Sequence, residues 1–101
     1  MSFASDISAV SKTATGQAVN GRTRLAGMYF THTVTPATIT LRSGGGSGTV
    51  LLTMTSPAAA GSQDMIIPDN GILFTDGIHI TLSSAEITSV TLLFVGGGAV
   101  A

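Results

Sequence analysis

A chain of 101 residues has room for one hydrophobic core, so a second domain is excluded. Only 9% of the residues are charged, against about 25% in an average soluble domain, and the mean hydropathy is +0.50. These values exclude intrinsic disorder, and the scattered basic residues at a net charge of −1 argue against a nucleic-acid surface. So little charge predicts that other protein covers much of the surface.

The residue types that are missing exclude several kinds of site. The chain has no cysteine, which removes disulfides, thiolate metal sites and cysteine nucleophiles. The first six residues lack the basic and apolar pattern of a signal peptide, and the longest apolar run, residues 92–95, is far shorter than the roughly 20 residues of a membrane helix. We therefore expect a soluble, unprocessed protein without a membrane or nucleic-acid partner.

In chain order, strand signals dominate. Residues 1–13 are predicted as an extended N-terminal arm, with a short helix over residues 5–12 as the minor alternative. Asn20-Gly21 is a strong hairpin signal, Gly27 indicates a bulge or a close backbone contact, and residues 43–48 form a glycine-rich loop. Residues 96–101 are predicted as a flexible C-terminal tail. The predicted strands are residues 14–19, 22–33, 37–42, 49–55, 63–67, 72–74, 78–82 and 88–95.

The fold class follows from the spacing of these strands and from their alternation. About eight short strands with turns every 8–12 residues are typical of a sandwich or a jelly roll. We therefore predict an all-β, antiparallel, jelly-roll-like β-sandwich over residues 14–95. Its outer faces are rich in threonine and serine, which cost less to dehydrate than charges do. The predicted inward residues are Leu25, Met28, Phe30, Ile39, Leu41, Val50, Leu52, Met54, Ile78, Ile80, Leu82, Val90, Leu92 and Phe94.

Few residues are candidates for catalysis. The loop at residues 43–48 lacks the lysine and the following helix of a phosphate-binding loop. His32 and His79 are predicted as surface histidines, with His79 facing away from the side of its strand that carries Ile78 and Ile80. No serine lies in a nucleophile elbow between a strand and a helix. The prediction is a protein that is not an enzyme and has no catalytic or cofactor-binding residues; a small hydrolase using His32 or His79 is the weakest alternative.

Two further sets of residues leave alternatives open. Asp64, Asp69 and Asp76 lie near predicted turns, where aspartates usually bond their own backbone; gathered by the fold, they would instead bind calcium. We assign no metal site from them. Of the five aromatic residues, Phe3 and Tyr29 are the candidates for exposure, and an exposed ring is what stacking on a sugar requires.

Residues 21–95, about three quarters of the chain, resemble small structural proteins of tailed bacteriophages. The resemblance implies a virion protein, with a capsid decoration (cement) protein favoured. The alternative is a tail, fibre or spike accessory domain involved in assembly or in binding a host-surface glycan. The resemblance also implies a homo-oligomer, with a trimer favoured, that contacts the major capsid protein or another virion protein, with the capsid surface as the favoured location, and it transfers no binding residues. The matching segments are Gly21-Arg-Thr-Arg-Leu-Ala-Gly-Met-Tyr29, Ile39-Thr-Leu-Arg-Ser-Gly-Gly-Gly-Ser-Gly-Thr-Val-Leu-Leu52, Ile66-Ile-Pro-Asp-Asn-Gly-Ile-Leu-Phe74, Gly77-Ile-His-Ile80 and Val90-Thr-Leu-Leu-Phe-Val95.

Overall fold

The computed structural model describes residues 7–67 and 71–96, and within these residues the chain is built from β-strands without a helix. None of the described segments could therefore cross a membrane as a helix. The all-β prediction is confirmed. The short helix considered as the alternative for residues 5–12 is wrong for residues 7–12, the part of that segment that the structure describes. The nine strands within the described residues are β1 (Ser8–Lys12), β2 (Gly16–Val19), β3 (Thr23–His32), β4 (Thr38–Ser43), β5 (Thr49–Thr55), β6 (Gly61–Ile66), β7 (Ile72–Phe74), β8 (Ile78–Leu82) and β9 (Ile87–Gly96).

The strands form two antiparallel sheets with jelly-roll connectivity. One sheet has the order β1-β9-β3-β6, with β7 also paired to β3, and the other has the order β2-β8-β4-β5. The pairs β1·β9, β2·β8, β3·β6 and β4·β5 are nested along the chain. Nested pairs are what a single long hairpin produces when it rolls up into two packed sheets, which is the jelly roll. The predicted jelly-roll-like sandwich is confirmed.

The two long sides of the sandwich are closed differently. On one side β1 packs against β2, and residues 13–15 connect these two strands. The opposite edges of the two sheets are β6 and β5, and residues 56–60 connect them. The first side is called the closed side below, and the second is called the β5/β6 side. Both sides matter because each sheet ends there in an edge strand.

The N-terminal segment is part of the sheet. The prediction placed residues 1–13 in an arm outside the sandwich, but Ser8–Lys12 pair with β9. Val10 lies opposite Leu92 and is buried with it. A single buried valine among polar residues leaves little alternation in the sequence, which explains why the strand was missed. Residues 1–6 and 97–101 of the predicted arm and tail lie outside the described residues.

The core fills the space between the sheets and contains most of the predicted inward residues. Leu52, Met54 and Leu82 pack against it while partly exposed. Val50 differs from the prediction: the β4–β5 register skips Leu51, so Val50 pairs with Arg42 and is exposed. The buried hydrophobic residues are Val10, Ala18, Val19, Leu25, Met28, Phe30, Ala37, Ile39, Leu41, Phe74, Ile78, Ile80, Ile87, Val90, Leu92 and Phe94.

A bulge in β3 decides which of its side chains face the core. Leu25 pairs with Phe94 and Gly27 pairs with Leu93, so the register skips Ala26, as the sequence indicated for this position. Before the bulge the odd-numbered Leu25 faces inward, whereas after it the even-numbered Met28 and Phe30 do. A side-chain carbon on Gly27 would lie 3.0 Å from the Met65 carbonyl oxygen, which shows how closely β6 approaches.

Candidate functional site

His32 is buried rather than on the surface, so the predicted surface position is wrong. It is 5% exposed at the end of β3, and its ring centroid lies 5.7 Å from that of Phe30. The bulge at Ala26 causes this, because it turns the even-numbered residues of β3 inward. His32 Nδ1 lies 3.2 Å from the Thr33 carbonyl oxygen and donates to it in the tautomer that carries hydrogen on Nδ1, while Nε2 is buried without a hydrogen-bond partner among the described residues.

His79 lies on the outer face of the four-stranded sheet. It pairs with Gln17 on one side and Arg42 on the other, and it is half-buried. The prediction that it faces away from Ile78 and Ile80 is confirmed, since both isoleucines are in the core. Its Nδ1 is 3.4 Å from the Thr81 hydroxyl. The glycine-rich loop covers the ring: a side-chain carbon on Gly46 would lie 3.6 Å from it.

Neither histidine is placed for nucleophilic catalysis. Across residues 7–67 and 71–96, their hydrogen bonds go to the Thr33 carbonyl and the Thr81 hydroxyl, and not to a serine or a carboxylate. Asp76 donates its backbone N–H to the Ser43 hydroxyl at 3.1 Å, which joins the β7–β8 turn to the end of β4 without activating the serine. A hydrolytic triad requires a histidine between a nucleophile and an orienting acid. The described part of the chain does not assemble one.

The three aspartates do not form a described ion site. Asp64 lies within β6, opposite Tyr29 on the outer face of the five-stranded sheet. Asp76 lies in the turn between β7 and β8. Asp69 lies outside the described residues. Among the residues that are described, no group of three histidine, cysteine, aspartate or glutamate side chains could hold a metal ion.

Hydroxyl groups dominate one half of the outer face of the five-stranded sheet. Ser11 bonds to Thr91 at 2.8 Å across β1 and β9. Thr31 bonds to Ser89 at 2.7 Å and to Thr88 at 2.5 Å across β3 and β9. These five residues are called the hydroxyl patch below. Their hydroxyl groups bond to one another, so the patch is polar but uncharged and satisfies part of its own hydrogen bonding.

Large apolar side chains occupy the neighbouring rows of the same face. Tyr29 is 44% exposed and Ile66 is 72% exposed. Ile66 and Leu93 flank Gly27, and the Cδ1 atom of each lies 3.5 Å from where a side-chain carbon of Gly27 would be. These residues, with Gly27 as the gap between them, are called the apolar patch below. Asp64 is the charged residue that pairs beside Tyr29.

The outer face of the four-stranded sheet carries rows of threonine. Thr40 pairs with Thr53 on β5 and with Thr81 on β8, which places three threonines side by side. Thr38 pairs with Thr55 in the next row. At the end of these rows Arg42 donates from Nη1 to the Gly48 carbonyl at 3.2 Å, so this guanidinium holds the β4–β5 loop.

Comparison of the chain with protein-family models, with curated proteins and with solved structures gives no match. What the geometry defines is therefore a class: an all-β jelly-roll domain whose outer faces are built from hydroxyl and apolar side chains. Sequence reasoning found the hydroxyl character of these faces. It missed the apolar patch, because the patch depends on the register between β3, β6 and β9, which local patterns do not encode.

Proposed function

We propose that this chain is a structural protein of a tailed-phage virion, where it decorates the capsid and stabilises the head shell through protein–protein contacts. The observation that carries this proposal is the chemistry of the outer face of the five-stranded sheet. The apolar patch of Tyr29, Gly27, Ile66 and Leu93 adjoins the uncharged hydroxyl patch. Interface cores are depleted in charge and enriched in aromatic residues, and this face combines the aromatic Tyr29 with aliphatic and hydroxyl side chains, with Asp64 as the charge beside Tyr29.

The energetics of docking favour such a face. Burying an ion requires the loss of strong hydration, whereas burying a hydroxyl group that is already hydrogen-bonded costs far less. A standard interface covers about 800 Å² on each partner, which is about 15% of the 5242 Å² surface of this chain. A decoration protein occurs in many copies, so modest contacts at each joint add up to a large effect on the shell.

Fold and sequence likeness support the same class by analogy. Jelly rolls occur in viral capsid domains and in lectin domains, although a fold alone does not define a function. The resemblance of residues 21–95 to phage structural proteins favours a virion protein over a lectin domain. The proposed location is the capsid surface, and the proposed partners are the major capsid protein and further copies of this chain.

A second candidate is a tail, fibre or spike domain that binds a host glycan. The observation that favours it is the exposed ring of Tyr29, which pairs with Thr91 on one side and Asp64 on the other. An aromatic face beside hydroxyl and carboxylate oxygens is chemistry that suits a sugar ring. Binding on a glycan array that disappears in Tyr29→Ala would favour this function over capsid decoration.

The test of capsid decoration is co-sedimentation with heads of the encoding phage from which this chain has been removed. We expect the purified chain to sediment with these heads and to raise the temperature at which they release DNA. Ile66→Lys places a charge in the apolar patch at an exposed position, so folding is retained and binding falls about tenfold or more. Val34→Lys, at another exposed β-branched apolar residue, is the matched control and should bind normally. A wild-type chain that stays in the supernatant would overturn the proposal.

A further inference from the structure

We propose that β5 is a self-association edge, at which two copies of the chain pair their β5 strands antiparallel about a twofold axis. In the favoured register, Leu52 lies opposite Leu52 of the second copy. This inference rests on the proposed assembly function and names one partner within it. A twofold contact joins copies in pairs, in contrast to the threefold arrangement that the phage resemblance implies.

The first argument is that β5 is the least protected edge of the sandwich. It pairs with β4, and no described strand pairs with its other side. Proteins usually protect an edge strand with a charge, a proline, a bulge or short length. Thr49–Thr55 has seven residues with neither a charge nor a proline, although its pairing with β4 contains a bulge at Leu51. The other edges are better protected, because β1 contains Lys12, β6 contains Asp64, and β2 is four residues long and bulged.

The second argument is that the core is incompletely covered beside β5. Leu52 and Met54 face the core but stay partly exposed, and Met65 on the neighbouring β6 and Ile67 just after it do the same. On the closed side, by contrast, β1 and β2 pack against each other. A strand added beside β5 would extend the sheet over Leu52 and Met54 and remove apolar surface from water.

The third argument concerns why the strand that pairs with β5 belongs to a second copy of this chain. A twofold pair brings two copies of the same strand together, so any charge near the axis would lie close to a like charge, and β5 has none. The register centred on Leu52 pairs all seven residues and places this inward side chain opposite its own copy, with Leu51, the residue at the bulge, opposite Thr53. A slip of one residue would place inward residues opposite outward ones, and a slip of two would shorten the pairing.

The size of the contact sets its strength. Seven residues span roughly 23 Å at about 3.3 Å each. Combined with the 19 Å thinnest extent of the molecule, that length gives a contact of roughly 440 Å² per copy. A standard interface has about 800 Å² on each side. The β5 pair should therefore be weak in dilute solution, and stronger where a shared support raises the local concentration of copies.

The chain has no cysteine, so one introduced cysteine provides a unique crosslinking site. Residues that lie opposite each other in an antiparallel pair have Cα atoms about 4.5–5.5 Å apart, within the range of about 4.4–6.8 Å for a disulfide. We expect Leu52→Cys to form a disulfide-linked dimer under mild oxidation. Thr40→Cys is the matched control, because it is similarly buried but lies on the interior strand β4, and it should stay monomeric.

A second variant tests the edge without a crosslink. Leu51 is 38% exposed on β5, so Leu51→Lys retains the fold and introduces repulsion across the twofold axis. Sedimentation equilibrium should show dimerisation at least tenfold weaker than in the wild type. Ile7→Lys makes the same change at an exposed position on the closed side and should leave the dimer unchanged.

The outcomes separate this inference from the proposed function. No crosslink from Leu52→Cys, equal crosslinking of Thr40→Cys, or wild-type trimers that Leu51→Lys leaves intact would each overturn the β5 pair. Both experiments are carried out without heads. If the wild-type chain binds heads but does not dimerise, the β5 inference alone is overturned. If it dimerises but does not bind heads, the proposed function alone is overturned.

Discussion

Gly77 offers the sharpest test of how the turn before β8 meets β2. Its backbone has φ 83°, a left-handed conformation, in the turn between β7 and β8. A side-chain carbon there would lie 2.4 Å from the Val19 carbonyl oxygen and 2.8 Å from Gln17 Nε2. The left-handed conformation costs a non-glycine residue about 1–2 kcal/mol, and crowding a packed interior costs about 1–3 kcal/mol more. We predict that Gly77→Ala lowers the free energy of unfolding by about 3 kcal/mol.

Two further glycines separate these contributions. Gly45 has φ 95° but open space where a side-chain carbon would lie, so Gly45→Ala should lose only the conformational contribution of about 1–2 kcal/mol. Gly16 lies in β2 without a positive φ and also has open space. Gly16→Ala should therefore change stability by no more than about 0.5–1 kcal/mol, in the stabilising direction.

The assay is thermal unfolding, supported by urea denaturation. For a chain of 101 residues the entropy of unfolding is roughly 0.2 kcal/mol/K, so each kcal/mol shifts Tm by about 5 °C. We expect Tm to fall by about 15 °C for Gly77→Ala and by about 5–10 °C for Gly45→Ala. Equal shifts for these two variants would refute the reasoning, because they would mean that the Val19 carbonyl does not lie against this turn.

Further predictions concern burial and use paired variants. His32→Ala should destabilise the fold by about 2–4 kcal/mol because it leaves a cavity, whereas His79→Ala on the outer face should cost less than about 1 kcal/mol. Similar urea midpoints for the two histidine variants would contradict the buried position of His32. Phe74→Ala should cost about 3–5 kcal/mol and Tyr29→Ala less than about 1 kcal/mol, because Phe74 is fully buried and Tyr29 is not. A Tyr29 variant as unstable as the Phe74 variant would show that the ring is part of the core.

The strands that sequence reasoning located well are those with clear alternation between turn signals. Residues 49–55, 72–74 and 78–82 were predicted with the bounds that the structure has. The jelly-roll class also followed from local patterns, because the number and spacing of short strands leave few ways to bury one face of each. Gly27 gave a usable signal for the bulge in β3.

What local patterns could not provide is the register between strands. β1 was missed because Val10 alone faces the core there, and pairing with β9 is what makes the segment a strand. His32 was placed on the surface because the one-residue shift at Ala26 was not followed to the end of β3. The apolar patch joins Tyr29 and Gly27 to Ile66 and Leu93, which are far apart in the chain and meet only through the pairing of three strands.

The low charge of the chain acquires a physical explanation from the hydroxyl pairs. Thr31 with Ser89 and Ser11 with Thr91 bond to each other across strands, so each pair is hydrogen-bonded before any partner arrives. Docking another protein on such a face leaves fewer buried donors or acceptors unmatched, and an unmatched group costs about 1–3 kcal/mol. Lysine and glutamate at the same positions would have to lose strongly bound water when a partner docks, which costs more free energy than burying a hydroxyl group. Threonine also favours strands, so the same residue type stabilises the sheet and lowers the cost of burying its outer face against another protein.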